Sequence, residues 1–101
     1  MAQRDMFQPA VYIMANHKRG TIYVGVTSNL VQRVWQHREG AGGGFTSRCG
    51  CKKLVWFELH GAMEVAIVRE KQLKGGSRAK KIALVEANNP EWQDLYGEIA
   101  L

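Results

Sequence analysis

Residues 10–37 read AVYIMANHKRGTIYVGVTSNLVQRVWQH: two short β-rich runs, a polar loop between them and an amphipathic stretch behind. The runs are Val11–Ala15 and Ile22–Val26, made of the β-branched and aromatic types that fit a pleated, half-buried surface. Asn16 to Gly20 is polar and ends in glycine, as a hairpin loop should. Tyr12 and Tyr23 therefore fall near each other on paired strands, with the register left open because nothing local fixes it. Thr27 or Ser28 can cap the helix that follows by accepting a hydrogen bond from a free backbone N–H. Its periodic part runs from Leu30 to about His37, and the glycine cluster Gly40 to Gly44 lies beyond. At ~100° per residue, Leu30, Val31, Val34 and Trp35 make one apolar arc. Arg33 and His37, four apart, stack at the edge of that arc. There a helix can hold a cation beside a pocket rather than in open solvent.

Working outward, Lys53 to Leu59 reads as a third strand with Leu54, Val55, Trp56 and Phe57 largely buried. Ala62 to about Lys74 reads as a second helix, stopped by Gly75-Gly76. Ser77 can cap a third helix running to about Ala87, which Pro90 keeps from continuing. The order β-β-α-β-α-α predicts an α+β fold, a small three-stranded, mainly antiparallel sheet flanked by helices. The length of 101 residues sets a single domain with one modest core, its motif-bearing part spanning about 10–95. The glycine cluster is a loop and not a phosphate cradle, because Phe45-Thr46-Ser47 follows where Gly-Lys-Ser/Thr is required.

Composition narrows the class. Fourteen basic against nine acidic residues give a net charge of +5 and a pI near 9.5. Such a balance suits a polyanionic partner, since each Lys or Arg at a phosphate releases condensed counterions. No apolar run approaches the roughly 18 residues a membrane span needs. The N-terminal residues lack the apolar core of a signal peptide, which makes the cytoplasm the expected compartment. Cys49 and Cys51 are expected as reduced thiols, because residues two apart rarely meet disulfide geometry. A zinc set completed by His37 and His60 has no second cysteine pair behind it.

Glu70 is the most telling single residue. Met63, Ala66, Ile67 and Leu73 are expected to share its face of the second helix, which places the carboxylate among inward-facing positions. A carboxylate there needs a cation. A Lys or Arg partner and a metal ion both meet that need.

Taken in order, Ala10-Val11-Tyr12, Tyr23-Val24-Gly25, Arg33, His37 and Arg69-Glu70, with Asn88-Asn89-Pro90 later, resemble the GIY-YIG endonuclease superfamily. The likeness is greatest to its small stand-alone bacterial members and covers roughly Ala10 to Leu95. The resemblance implies hydrolysis of phosphodiester bonds in DNA, selective for structure rather than sequence, with a role in DNA repair or processing. It makes Glu70 the ligand of one Mg²⁺ or Mn²⁺, which polarises the phosphate and stabilises the leaving 3′ oxygen. Tyr23 then orients or deprotonates the attacking water. Its ordinary pKa of ~10 asks for nearby positive charge, and Arg33 can supply it while binding charge on the phosphate. Tyr12 would hydrogen-bond the phosphate or the nucleophile. His37 would shuttle a proton or hold a phosphate oxygen, with a pKa near neutral. Asn89, or its neighbour Asn88, matches the late asparagine that supports the site, and either can equally end the third helix.

Gly25 would let the substrate backbone approach. Arg48, Lys52 and Lys53, flanking the loop after the first helix, are the expected phosphate contacts, positioning substrate without reading sequence. Ala10 stands where the family has a first glycine, and Val26 where some branches have a lysine. The expected partner is a nucleic acid, with no membrane, and with a homodimer or a protein partner left open. Two other readings use the same scaffold: a nucleic-acid-binding module with weak or lost catalysis, and an accessory subunit.

Overall fold

A computed structural model describes residues 8–39 and 50–100. Three strands, β1 (Ala10–Ala15), β2 (Ile22–Thr27) and β3 (Lys53–Leu59), form one antiparallel sheet in the order β2-β1-β3. Helix α1 (Leu30–Glu39) follows the hairpin. Helices α2 (Met63–Gly75), α3 (Arg78–Asn88) and the short α4 (Tyr96–Ile99) follow β3. The expected α+β order and antiparallel sheet are what the chain adopts, with α4 added.

The register comes from the packing of the two faces. Tyr12 pairs with Gly25, Met14 with Tyr23 and Ile13 with Val24. All six residues of the central strand are buried, so the side-chain alternation of a strand feeds two separate cores. Val11, Ile13 and Ala15 join Val24, Val55, Trp56, Ala66, Val85 and Trp92 on one side. There α2 lies against β2 and β1, and α3 against β3. Ala10, Tyr12 and Met14 join Leu30, Val34, Cys51 and Leu54 on the other, closed by α1 and α4.

Strand β3 also serves both cores, but its phase changes where its register shifts opposite Ile13 and Met14. Trp56 pairs with Ile13 and Leu54 with Met14, which leaves Val55 as the extra residue of a β-bulge. Two consecutive residues, Val55 and Trp56, thereby enter the same core, while Leu54 enters the other.

Local chemistry explains the ends. Asn29 caps α1: its Oδ1 accepts from Gln32 N at 3.1 Å and its carbonyl from Arg33 N at 3.0 Å. Thr27, one of the two expected caps, instead accepts the Asn29 N–H at 3.0 Å and so shapes the turn before the helix. The expected apolar arc of α1 is narrower than its sequence. Leu30, Val34 and His37 are the buried residues, whereas Val31 and Trp35 are 39% and 49% exposed. The sheet covers one narrow stripe of the helix, and His37 takes the third place in it. Ser77 caps α3 as expected, accepting from Lys80 N at 3.2 Å.

The hairpin loop is tied down by α3. Arg19, at a φ of 55°, makes a two-point ion pair with Glu86 at 2.8 and 2.7 Å. Glu86 also accepts from Trp92 Nε1 at 2.7 Å. Cys51 is buried and disulfide-bonded, which corrects the expectation of a reduced thiol. The adjacent Gly50, at a φ of 68°, bends the chain in a way an extended strand does not. Cys49 and Arg48 lie outside the described residues.

Candidate active site

Tyr12 and Tyr23 lie on the same face of the β1–β2 hairpin as diagonal neighbours, since Tyr12 faces Gly25 two residues along from Tyr23. Their ring centroids are 6.3 Å apart. His37, from the third buried position of α1, closes a triangle with them, 5.6 Å from Tyr12 and 5.4 Å from Tyr23. The Tyr12 hydroxyl and His37 Nε2 are hydrogen-bonded at 2.9 Å.

Gly25 is what lets the triangle form. A Cβ there would stand 2.5 Å from both Cζ and Oη of Tyr12. The ring of Tyr12 fills the space over the glycine, so the vacancy expected for a substrate backbone is used by the protein itself.

Burial sorts the four residues into two layers. Tyr12 and His37 are 1% and 3% exposed, while Tyr23 and Arg33 are half-buried and reach solvent. Burial pushes the Tyr12 hydroxyl up to about 12, against the pull of the Arg33 guanidinium, which favours ionisation. Burial, and then the charge of Arg33, pushes His37 down to about 4. Both partners of the inner hydrogen bond are thus neutral at pH 7. In the tautomer with Nε2 unprotonated, the hydroxyl donates and the imidazole accepts. The expectation of a His37 titrating near neutrality is corrected: a buried imidazole beside a guanidinium resists a second proton. Arg33 is held more firmly charged, first by the Tyr12 hydroxyl and then by Tyr23. It also donates to Gln36 Oε1 at 3.2 Å.

Glu70 arrives from α2. Its side chain is 14% exposed, and Lys74 Nζ lies 2.8 Å from Oε2. The same ammonium stands 5.9 Å from the centroid of the Tyr23 ring, which brings the Glu70–Lys74 pair of α2 beside the outer tyrosine. Of the face assigned to Glu70, Ala66 is buried and Met63 and Leu73 pack on the core. Ile67 is 37% exposed, so Glu70 marks the rim of the buried stripe and not its middle. Lys74 is the functional candidate that sequence reasoning missed. The signal was present as an i,i+4 pair, in which side chains one turn apart meet.

Asn89 sits elsewhere. It caps α3, and its Nδ2 donates to the carbonyls of Val55 at 3.0 Å and Gln93 at 2.9 Å. Its Oδ1 accepts from Gln93 N at 2.9 Å. The Val55 carbonyl belongs to the bulged residue, so Asn89 supports the sheet from the face opposite the tyrosines. Lys52 is exposed and Lys53 half-buried at the start of β3. The Lys52 carbonyl accepts from Arg38 at 3.5 Å, which sets this basic pair beside the last turn of α1.

A three-stranded antiparallel sheet with helices on both sides, carrying two tyrosines, an arginine and a histidine on one face, defines a class. The family model of the GIY-YIG catalytic domain matches residues 8–83, and the chain belongs to that family, carrying a nuclease-type domain. Within it, the chain is similar to small proteins named UPF0213. One from Clostridium perfringens is 33% identical over 91 residues, covering 90% of this chain and 97% of the relative. One from Syntrophus aciditrophicus is 35% identical, covering 80% and 92%. The solution NMR structure of a UPF0213 protein from Bacillus halodurans superposes with a TM-score of 0.54 at 30% identity, covering 86% of this chain and 92% of that one.

Proposed function

We propose that this protein is a metal-dependent endonuclease that hydrolyses phosphodiester bonds in DNA, selecting structure rather than sequence, and serving DNA repair or processing in the cytoplasm. The observation that carries the reading is the meeting of Tyr12, Tyr23, Arg33 and His37 on one sheet face, with the Glu70 carboxylate at its rim. No helix among the described residues is long and apolar enough to cross a membrane.

The donor chemistry fits a hard divalent ion. Glu70 offers one largely buried carboxylate, and no group of three His, Cys, Asp or Glu side chains stands together among the described residues. Mg²⁺ keeps several waters and accepts such a sparse protein set, with Mn²⁺ as its near substitute. When bound, the ion supplies Lewis-acid stabilisation of charge on the phosphate.

The remaining work falls to the chain. Arg33, solvent-reaching and firmly charged, binds the non-bridging phosphate oxygens through its planar fork of donors. Tyr23, the half-exposed tyrosine, holds the attacking water and takes a hydrogen bond from it. Attack of that water on phosphorus forms one P–O bond as the P–O3′ bond breaks, the water releasing a proton to solvent and the departing 3′ oxygen taking one up from solvent. Tyr12 and His37, neutral and buried, are positioning residues: their hydrogen bond fixes the ring of Tyr12 under that of Tyr23. Lys52 and Lys53, with Arg48, hold flanking phosphates.

The ion pair between Glu70 and Lys74 favours one second reading, a nucleic-acid-binding module or accessory subunit whose carboxylate is neutralised permanently. Labelled linear, nicked and branched DNA and single-stranded RNA, incubated with Mg²⁺, Mn²⁺ or EDTA, separate the two. The wild type should cleave DNA only with metal. Glu70→Ala should lose roughly 10²–10³-fold in rate, the scale of losing one transition-state stabiliser, while still binding DNA. Binding without cleavage of any substrate would establish the second reading.

A further inference from the structure

Lys74 stands where the metal-dependent reading needs space. It follows Glu70 by one helical turn, and its Nζ touches Oε2 at 2.8 Å. Glu70 is 14% exposed at its side chain and Lys74 51%, so the carboxylate is fixed in the protein and the ammonium is the end free to leave. A four-carbon stem on the last turn of α2 gives that end room to swing into solvent. In this pair the charge of the carboxylate is already balanced by the Lys74 ammonium. A divalent cation seated on the same carboxylate would lie within a few ångströms of the ammonium, and the two repel.

We infer that Lys74 is the resident counter-ion of Glu70 and competes with a divalent cation for its carboxylate, so that Lys74 sets the metal affinity of the site. The inference rests on Glu70 being the metal ligand. It accounts for how a carboxylate at the rim of the core stays satisfied in the metal-free chain. It also means that an anionic phosphate, by adding the missing negative charge, binds together with the metal better than either binds alone.

Free Mn²⁺ measured by electron paramagnetic resonance tests this without any assay of cleavage. Lys74→Met should bind Mn²⁺ about tenfold more tightly than the wild type, the effect of removing one competing charge of about 1.4 kcal/mol. Lys74→Arg, which keeps the cation, should stay close to the wild type, and Glu70→Gln should bind none. Equal or weaker binding by Lys74→Met overturns the competition and leaves the metal reading in place. Absence of binding to every variant, or undiminished binding to Glu70→Gln, overturns the metal reading as well. On the wild-type chain alone, Mg²⁺ should shift the Lys74 ε-carbon NMR signal, and an unmoved signal at saturation overturns the competition.

Discussion

Val11, Ile13 and Ala15 point to one side of the central strand, Ala10, Tyr12 and Met14 to the other, and all six are closed to water. The first side is filled by apolar side chains from α2, α3 and the Trp92 segment. Its polar atoms are consumed internally: Asn89 on backbone carbonyls, Trp92 Nε1 on Glu86. The second side carries the Tyr12 hydroxyl of the strand itself and receives an imidazole and a guanidinium from α1, His37 inside the narrow buried stripe and Arg33 at its edge. One strand thus anchors the fold with one set of alternate residues and holds the candidate chemistry with the other. Variants on the first side should cost stability, and variants on the second should cost chemistry or its fine adjustment.

Trp92→Ala gives the largest stability effect. Removing a fully buried indole from a core typically costs about 3–5 kcal/mol, a large share of the 5–15 kcal/mol of an ordinary domain. Urea unfolding followed by circular dichroism should show the loss. A midpoint that barely moves would break the division of labour between the two sides.

Gly25→Ala is next, and it sharpens the comparison from the site's side. A methyl 2.5 Å from the Tyr12 ring must displace it. Overpacking of this kind costs about 1–3 kcal/mol, and here it should also separate Tyr12 from His37. Gly97→Ala is the control, since beyond its chain neighbours and its own helix backbone nothing lies within 4 Å of the Cβ it would add. It should melt at or above the wild-type temperature. Equal melting of the two variants would mean that the Tyr12 ring does not depend on the space over Gly25.

The smallest effect is a pH slope. His37 is depressed from 6.5 to about 4, so the folded chain binds fewer protons there than the unfolded one. The stability tied to neutral His37 is therefore fully present above about pH 6.5 and is lost as pH falls from there toward 4. Thermal melts across that window should be steeper for the wild type than for His37→Gln. Parallel curves would show that the imidazole is not held neutral by its surroundings.

Much of this was written locally in the chain. The three strands, the glycine stop of α2 and the serine cap of α3 depend on neighbours within a few residues, and each was readable. The Tyr, Tyr, Arg and His set was readable as an ordered spacing. The rest depends on partners far along the chain. Why Gly25 must lack a side chain is a fact about Tyr12, visible once the register pairs them. Val31 and Trp35 continue the apolar arc of α1 in sequence, yet the sheet has no room to cover them. A polar His37 takes the buried place that hydropathy would deny it. The bond between Arg19 and Glu86 joins residues 67 apart, and no pattern in either stretch announces it.

The unpaired Val55 has a bearing on how this chain is aligned with others. On either side of that residue, β3 runs in opposite phase: Leu54 and Trp56, two apart, face different cores. A relative whose strand lacks the extra residue cannot be matched to this one by a single ungapped block. Lys53-Leu54 and Trp56 to Leu59 have to be placed as separate pieces with a gap between them. An alignment that slides straight through would put each inward residue of one half opposite an outward residue of the other.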